Sequence, residues 1–127
     1  MIDKETEIFK AVSTALRQKF SGIYVIGAEL SSTPPKFPAV SFVQTNSAVN
    51  REHSTFENNE NVVTEDYKAE VFSNLEKGKE SQTKEITAVI SDVLSTLGYI
   101  RTFCEVVPNE DATINRRMSR YRKNNVI

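Results

Sequence analysis

The stretch EDYKAEVFSNLEKGKESQTKEITAVISDVLSTLGYIRTF, residues 65–103, decides the fold, because it predicts a strand, a helix and a second strand in direct succession. Within residues 79–97, apolar side chains recur three or four positions apart, which places them along one stripe of a helix. The stripe consists of Ile86, Val89, Ile90, Val93, Leu94 and Leu97. Gly98 follows, where a chain leaving a helix commonly needs a positive φ. We therefore expect an amphipathic helix over residues 79–97.

The segments on either side of this helix have the two-residue period of strands. The alternating apolar positions before the helix are Val63, Tyr67, Ala69 and Val71. After the helix, residues 99–107 alternate again until Pro108. Toward the N-terminus, residues 4–19 carry a second helical stripe, and residues 23–26 and 37–43 are rich in the β-branched and aromatic side chains of strands.

These elements predict a single folded unit. The chain contains 127 residues, 39% of them apolar, which is enough for one hydrophobic core. Each apolar stripe needs an apolar partner, and a half-buried sheet supplies one. The sequence therefore predicts one α+β domain over residues 1–127, with a single antiparallel-dominated sheet of about four to five strands and two helices packed on one face.

A long polar segment interrupts the pattern at residues 46–61. It is the least hydrophobic part of the chain, has no sustained period, and contains Arg51, His53 and Phe56. Connections of this length in a small domain are commonly functional. We expect either a loop with hairpin arms that order against a partner, or a mobile tip without a role.

Positive charge is concentrated near the C-terminus. The whole chain has 17 acidic and 16 basic residues and a net charge of −1, whereas residues 111–127 hold five basic residues and one acidic residue. Few apolar side chains anchor residues 114–127, which predicts an edge strand or a basic C-terminal arm. The basic run contains Arg116, Arg117, Met118, Arg120, Tyr121 and Arg122. The acidic surface expected elsewhere includes Glu5, Glu7, Glu65, Asp66 and Glu70.

Three roles for this basic run are open. It can contact the acidic surface of an identical subunit, since opposite charges lie on different parts of one chain. It can bind nucleic acid, with arginines on phosphates and Tyr121 stacked on a base. It can also be a solvated tail.

The sequence offers little for catalysis. His53 is the only histidine, so neither a histidine-dependent triad nor a two-histidine metal site can form within one chain. Cys104 is the only cysteine, which excludes an internal disulfide, and its apolar strand favours a buried, unreactive thiol. We expect no enzyme activity, no metal and no cofactor. Without a signal-like start or a long apolar run, we also expect a cytoplasmic protein with no membrane segment.

The order of elements resembles the tail terminator, or tail completion, proteins of long-tailed bacteriophages, part of the wider set of small neck and minor capsid proteins. The similarity extends over nearly the whole chain. It is carried by the N-terminal helix at residues 8–20, the extended segment 37–42, the strand 67–72, the helix end at residues 97–99, and the late segment 117–121.

The resemblance implies a structural role in the virion. It implies a homohexameric ring that caps the tail tube, ends its polymerisation and joins the head connector, with a tail tube protein, a head–tail connector protein and DNA in the channel as partners. The residues then expected at subunit or tube interfaces are Arg51, Phe56, Phe72, Arg116, Arg117, Met118, Arg120, Tyr121 and Arg122. A head-to-tail connector component and a small nucleic-acid-binding module are the alternatives.

Overall fold

The computed structural model describes residues 5–28, 34–49, 62–108 and 113–126. Its elements in chain order are α1 (Glu5–Lys19), β1 (Tyr24–Ile26), β2 (Ala39–Val49), β3 (Val62–Ser73), α2 (Lys79–Thr96), β4 (Ile100–Val107) and β5 (Asn115–Val126). The strands form one sheet in the order β1-β2-β3-β5-β4, in which only β1 and β2 are parallel. The predicted α+β fold with an antiparallel-dominated sheet is therefore confirmed.

Glycines at both ends of α2 set its boundaries. Gly78 precedes the first helical residue with φ +86°, and Gly98 follows the last turn with φ +91°, backbone conformations that residues with a Cβ rarely adopt. The amide of Tyr99 then donates to the carbonyl of Leu94 at 2.8 Å. This turn reverses the chain directly into β4, as the position of Gly98 in the sequence predicts.

Both helices pack on the same face of the sheet. The buried side chains that they contribute are Ile8, Val12, Leu16, Ile86, Ile90 and Leu94. The strands contribute Val40, Phe42, Tyr67, Ala69, Val71 and Tyr121 to the same cluster. These positions follow the predicted helical and two-residue periods, so the expected arrangement of two helices on one face is confirmed.

A buried carboxylate lies at one end of this core. Glu65, expected on the acidic surface, is fully buried, and its Oε2 accepts a hydrogen bond of 2.8 Å from the Tyr99 hydroxyl. The Tyr67 ring stacks on Phe42 with centroids 5.0 Å apart and meets Tyr99 edge-on at 5.4 Å. The period-two pattern of β3 explains the burial, because Glu65 occupies the same face as Tyr67.

Buried phenols make the stability of the fold sensitive to alkali. Burial raises the pKa of Tyr67 and Tyr121 above the ordinary value of 10.0. Above pH 10 the unfolded chain therefore loses these protons more readily than the folded chain, so the free energy of unfolding should fall with pH, by at most about 1.4 kcal/mol per pH unit for each phenol. Urea unfolding of wild type and Tyr67→Phe between pH 9 and pH 11 measures this. If the free energy of unfolding fell with pH as steeply in Tyr67→Phe as in wild type, the Tyr67 phenol would lose its proton equally readily in the folded and unfolded chains, which would contradict its raised pKa.

The structure corrects two of the sequence-based boundaries. β2 continues to Val49, so the first residues of the predicted 46–61 loop are in a strand, while residues 50–61 lie outside the described residues together with Arg51, His53 and Phe56. The expectation of an edge strand or arm at the C-terminus is wrong, because β5 pairs with β3 on one side and with β4 on the other.

In the part of the chain that the structure describes, neither helix combines the length and apolar content that a membrane crossing requires.

Candidate interaction surface

Within the described residues, no helix packs on the sheet face opposite α1 and α2, and we refer to this face as the open face. Strand register and alternation assign its side chains. They are Tyr24 and Ile26 of β1, Ser41 and Val43 of β2, Asp66, Lys68, Glu70 and Phe72 of β3, Arg116, Met118, Arg120 and Arg122 of β5, and Phe103, Glu105 and Val107 of β4. Apolar and charged side chains thus share one surface.

One end of the open face is closed by side chains of the chain itself. Phe72, Ala39 and Ile114 are buried together, with Tyr24 and Phe37 packed against them. The Arg116 guanidinium lies 5.6 Å from the centre of the Phe72 ring. Phe72, predicted as an interface residue, is therefore held in a second small cluster and is not available to a partner.

Glu70 anchors a charge network in the middle of the open face. Its Oε2 accepts a hydrogen bond of 2.6 Å from Arg116 Nε and forms a close ion pair with the Nη2 of the same guanidinium. Its Oε1 lies 3.3 Å from Lys68 Nζ. Only 6% of the Glu70 side chain is exposed, so the carboxylate is removed from water and depends on these two cations.

A second pair lies at the far end of the same strands. Arg122 donates from Nε to Asp66 Oδ1 at 2.7 Å and from Nη2 to Oδ2 at 3.2 Å, and Asn46 Nδ2 donates to Oδ2 at 3.2 Å. The hydrogen bond from Arg122 lowers the pKa of Asp66 despite partial burial. Two arginines of the basic run are therefore paired with acids of β3 within one chain.

The Asp66 pair should contribute to stability in a pH-dependent way. Because the pKa of Asp66 is lowered from 3.8 in the fold, its contribution is present above that value and is lost as pH falls through the lower folded pKa. Asp66→Asn should therefore be less stable than wild type at pH 6, with the difference shrinking below pH 3.8. Urea midpoints at pH 6 and pH 2.5 measure it, with Asp92→Asn on the exposed side of α2 as the charge control. If the urea midpoints of wild type and Asp66→Asn differed by the same amount at both pH values, the ionised Asp66 carboxylate would not be the source of the stability.

Arg120 is the exposed guanidinium left between these pairs. Among the described residues, no carboxylate forms an ion pair with it. Its strand partner Phe103 and the nearby Met118 are partly exposed, and Glu105, the strand partner of Met118, is exposed. Apolar groups around an arginine are the composition found in the centres of protein interfaces.

The alternation of β5 separates the predicted interface residues. Arg116, Met118, Arg120 and Arg122 lie on the open face. Tyr121 lies on the helix face, where it is fully buried and shares a hydrogen bond of 2.8 Å with Ser91, so it is part of the core of this chain. Arg117 lies on the same face as Tyr121. The open-face residues of β4 were missed, although their alternation with Cys104 was visible in the sequence.

β4 is the outermost strand at one side of the sheet, so one edge of its backbone has no neighbouring strand within the described residues. Two of the large apolar side chains that are exposed in this part of the chain lie on it, Ile100 at 71% and Val106 at 48%. The pairing of β4 with β5 shifts register between Arg101 and Phe103. Cys104, expected to be buried, is partly exposed there. An edge of this kind is a surface on which another chain can pair.

Neither a protein-family model nor a curated protein matches the sequence. Among the described residues, no three histidine, cysteine or carboxylate side chains come together as metal ligands. The predicted lack of metal and cofactor stays a prediction. The open face and the edge strand β4 are therefore the features from which a function is inferred.

Proposed function

We propose that this protein is a virion structural protein, a tail terminator that assembles as a ring on the tail tube of a long-tailed phage. The observation that supports an assembly role is the open face, where a sheet of five strands presents partly exposed apolar groups and Arg120, which forms no ion pair with the residues that the structure describes. The resemblance described above supplies the specific assembly. The proposed ring is homohexameric, ends tube polymerisation and presents the surface for the head connector.

The physical requirement for such a ring is a heterologous contact. A ring forms when one surface of each subunit meets a different surface of the next and the rotation closes. The open face and the edge strand β4 are adjacent, so one contact can bury both. Exposed ion pairs supply only about 0.2 to 1 kcal/mol each, so the ring needs apolar contacts such as Met118 and Phe103 as well as charge.

Charge reversal at Arg120 tests the proposal. Arg120→Glu should leave the free energy of unfolding within about 0.5 kcal/mol of wild type, because the side chain is exposed. It should abolish rings in native mass spectrometry, and phage carrying it should grow tails beyond their normal length. Arg17→Glu, an exposed position of α1 on the opposite side of the sheet, is the matched control.

Two outcomes would contradict the proposal. If Arg120→Glu forms rings and caps tails as wild type does, the open face does not build the ring. If the same variant caps tails normally but loses salt-dependent binding to DNA, the alternative of a nucleic-acid-binding module is favoured.

A further inference from the structure

A polar seam joins α2 to β5 on the helix face of the sheet. Thr83, Thr87 and Ser91 are spaced four residues apart and therefore lie on one side of α2. Thr83 donates to Asn115 Oδ1 at 2.7 Å at one end of the seam, and Ser91 shares a hydrogen bond of 2.8 Å with the Tyr121 hydroxyl at the other. α2 and β5 thus run side by side with hydroxyl groups between them.

In the described residues, the middle of this seam holds buried side-chain atoms without a hydrogen bond of ordinary geometry, although Ser119 lies close enough to the Tyr121 hydroxyl to offset part of the rise that burial causes in the pKa of that phenol. The described residues contain four buried side-chain nitrogen or oxygen atoms without a partner, and three of them are Thr87 Oγ1, Ser119 Oγ and Arg117 Nε. Thr87 is 3% exposed and Ser119 is 1% exposed. Buried polar groups are nearly always paired, because an unpaired one costs about 1–3 kcal/mol.

Register places Arg117 and Ser119 on the helix face of β5, the face that the hydroxyl side of α2 contacts at Asn115 and Tyr121. Thr87 lies midway between Thr83 and Ser91, which contact residues 115 and 121, so it faces the middle of β5. Ser119 is the strand partner of Cys104, and Arg117 Nη1 reaches to 4.0 Å from the Cys104 sulfur. Among the described residues, no carboxylate pairs with Arg117.

We propose that Arg117, Thr87 and Ser119 form an oxyanion-binding site. All three can donate hydrogen bonds, one carries a positive charge, and the acceptor that lies 4.0 Å from Arg117 Nη1 is a weakly accepting sulfur. A guanidinium binds carboxylate and phosphate oxygens better than any neutral acceptor. The edge strand β4, where Cys104 is partly exposed and Val106 is exposed, is the side from which we propose that the oxyanion approaches.

The oxyanion has two sources, a free phosphate-type anion or the carboxylate of an acidic side chain from a second copy. The second source rests on the proposed ring, since the neighbouring copy would have to approach the β4 edge. The first does not depend on the ring. Inorganic phosphate is therefore the first probe, and ring formation is the second.

Thermal unfolding of the isolated protein in phosphate and in chloride at equal ionic strength tests the site directly. Phosphate at tenfold its dissociation constant should raise the melting temperature of wild type by about 5 °C more than chloride does. Arg117→Met should lose this difference, whereas Arg120→Met, the neighbouring arginine on the open face, should keep it. Phosphate also stabilises every variant by strengthening the burial of apolar groups. The site is therefore tested by the difference between the phosphate effects on Arg117→Met and on Arg120→Met.

Thr87→Val is a second test of the site, in case Arg117→Met does not fold. Valine has nearly the same shape as threonine, so this variant removes only the hydroxyl group. It should be at least as stable as wild type in chloride, because it removes an unpaired buried hydroxyl, and it should lose at least half of the phosphate effect. If phosphate has no specific effect, loss of rings in both Arg117→Met and Thr87→Val, with melting in chloride not lowered, supports the carboxylate source. The oxyanion site would be wrong if phosphate raised the melting temperature of wild type, Arg117→Met, Thr87→Val and Arg120→Met equally and all of them formed normal rings. The proposed ring would not be affected by that result.

Discussion

Replacing Ile90 by Asp is expected to unfold the protein at neutral pH. Ile90 is fully buried on the stripe of α2 that packs on the sheet, and no cation of the described residues forms an ion pair within this apolar cluster. A carboxylate there must be buried unpaired or protonated, at a cost of more than about 4 kcal/mol, a large part of the ~5–15 kcal/mol that stabilises a domain. Circular dichroism at 25 °C and urea titration measure the loss of the fold.

A matched substitution on the exposed side of the same helix provides the control. Ala88→Asp introduces the same charge two residues earlier, at an exposed position, and should cost less than about 1 kcal/mol. If Ile90→Asp were folded with an unchanged urea midpoint, the packing of α2 on the sheet would be wrong.

The helices and the strand β3 were predictable from the sequence because their periods are strong. The stripe that contains Ile86, Ile90 and Leu94 has a clear helical spacing, and Gly98 marks its end. The alternation from Tyr67 to Val71 defines which face of β3 is buried. Each pattern depends only on residues close in sequence, so no knowledge of the neighbouring strand was needed.

β5 was misread because its partners are distant in sequence. Its helix face carries Asn115, Arg117 and Ser119, and Asn115 bonds to a hydroxyl of α2, so the strand has no apolar alternation. Its open-face residues Arg116 and Arg122 pair with acids of β3 some fifty residues earlier, at separations of 46 and 56 residues. A charged run of this kind is typical of a solvated arm until the register is known.

The same register explains why the expected acidic surface is smaller than composition suggests. Asp66 and Glu70 are strand partners of Arg122 and Met118, and each accepts hydrogen bonds from an arginine of β5. Glu65 faces the core. Net charge counts residues but not the faces on which they lie, so it could not distinguish charges that bind a neighbour from charges that hold this sheet together.

Removing the Glu70 carboxylate is expected to be the second most damaging change. In Glu70→Ala, Arg116 and Lys68 remain close together on the open face without the acid between them. Breaking a buried pair from one side costs about 3–5 kcal/mol, and we expect about 2–3 kcal/mol here because the Arg116 side chain is 32% exposed and water screens it. Urea unfolding of Glu70→Ala, Arg116→Ala and the double variant should give a coupling energy above 1 kcal/mol.

The exposed pair of Glu80 and Lys84 in α2 is the internal control, because its side chains are 66% and 62% exposed. Glu80→Ala should change the free energy of unfolding by less than about 0.5 kcal/mol. If Glu70→Ala costs no more than Glu80→Ala, the Glu70 network is a solvated contact and does not hold the open face rigid. If the predicted difference is found, Arg116 is fixed by its own chain. Arg120 is then the arginine of the open face that is available to a neighbouring subunit, and charge reversal there should affect assembly without affecting the fold.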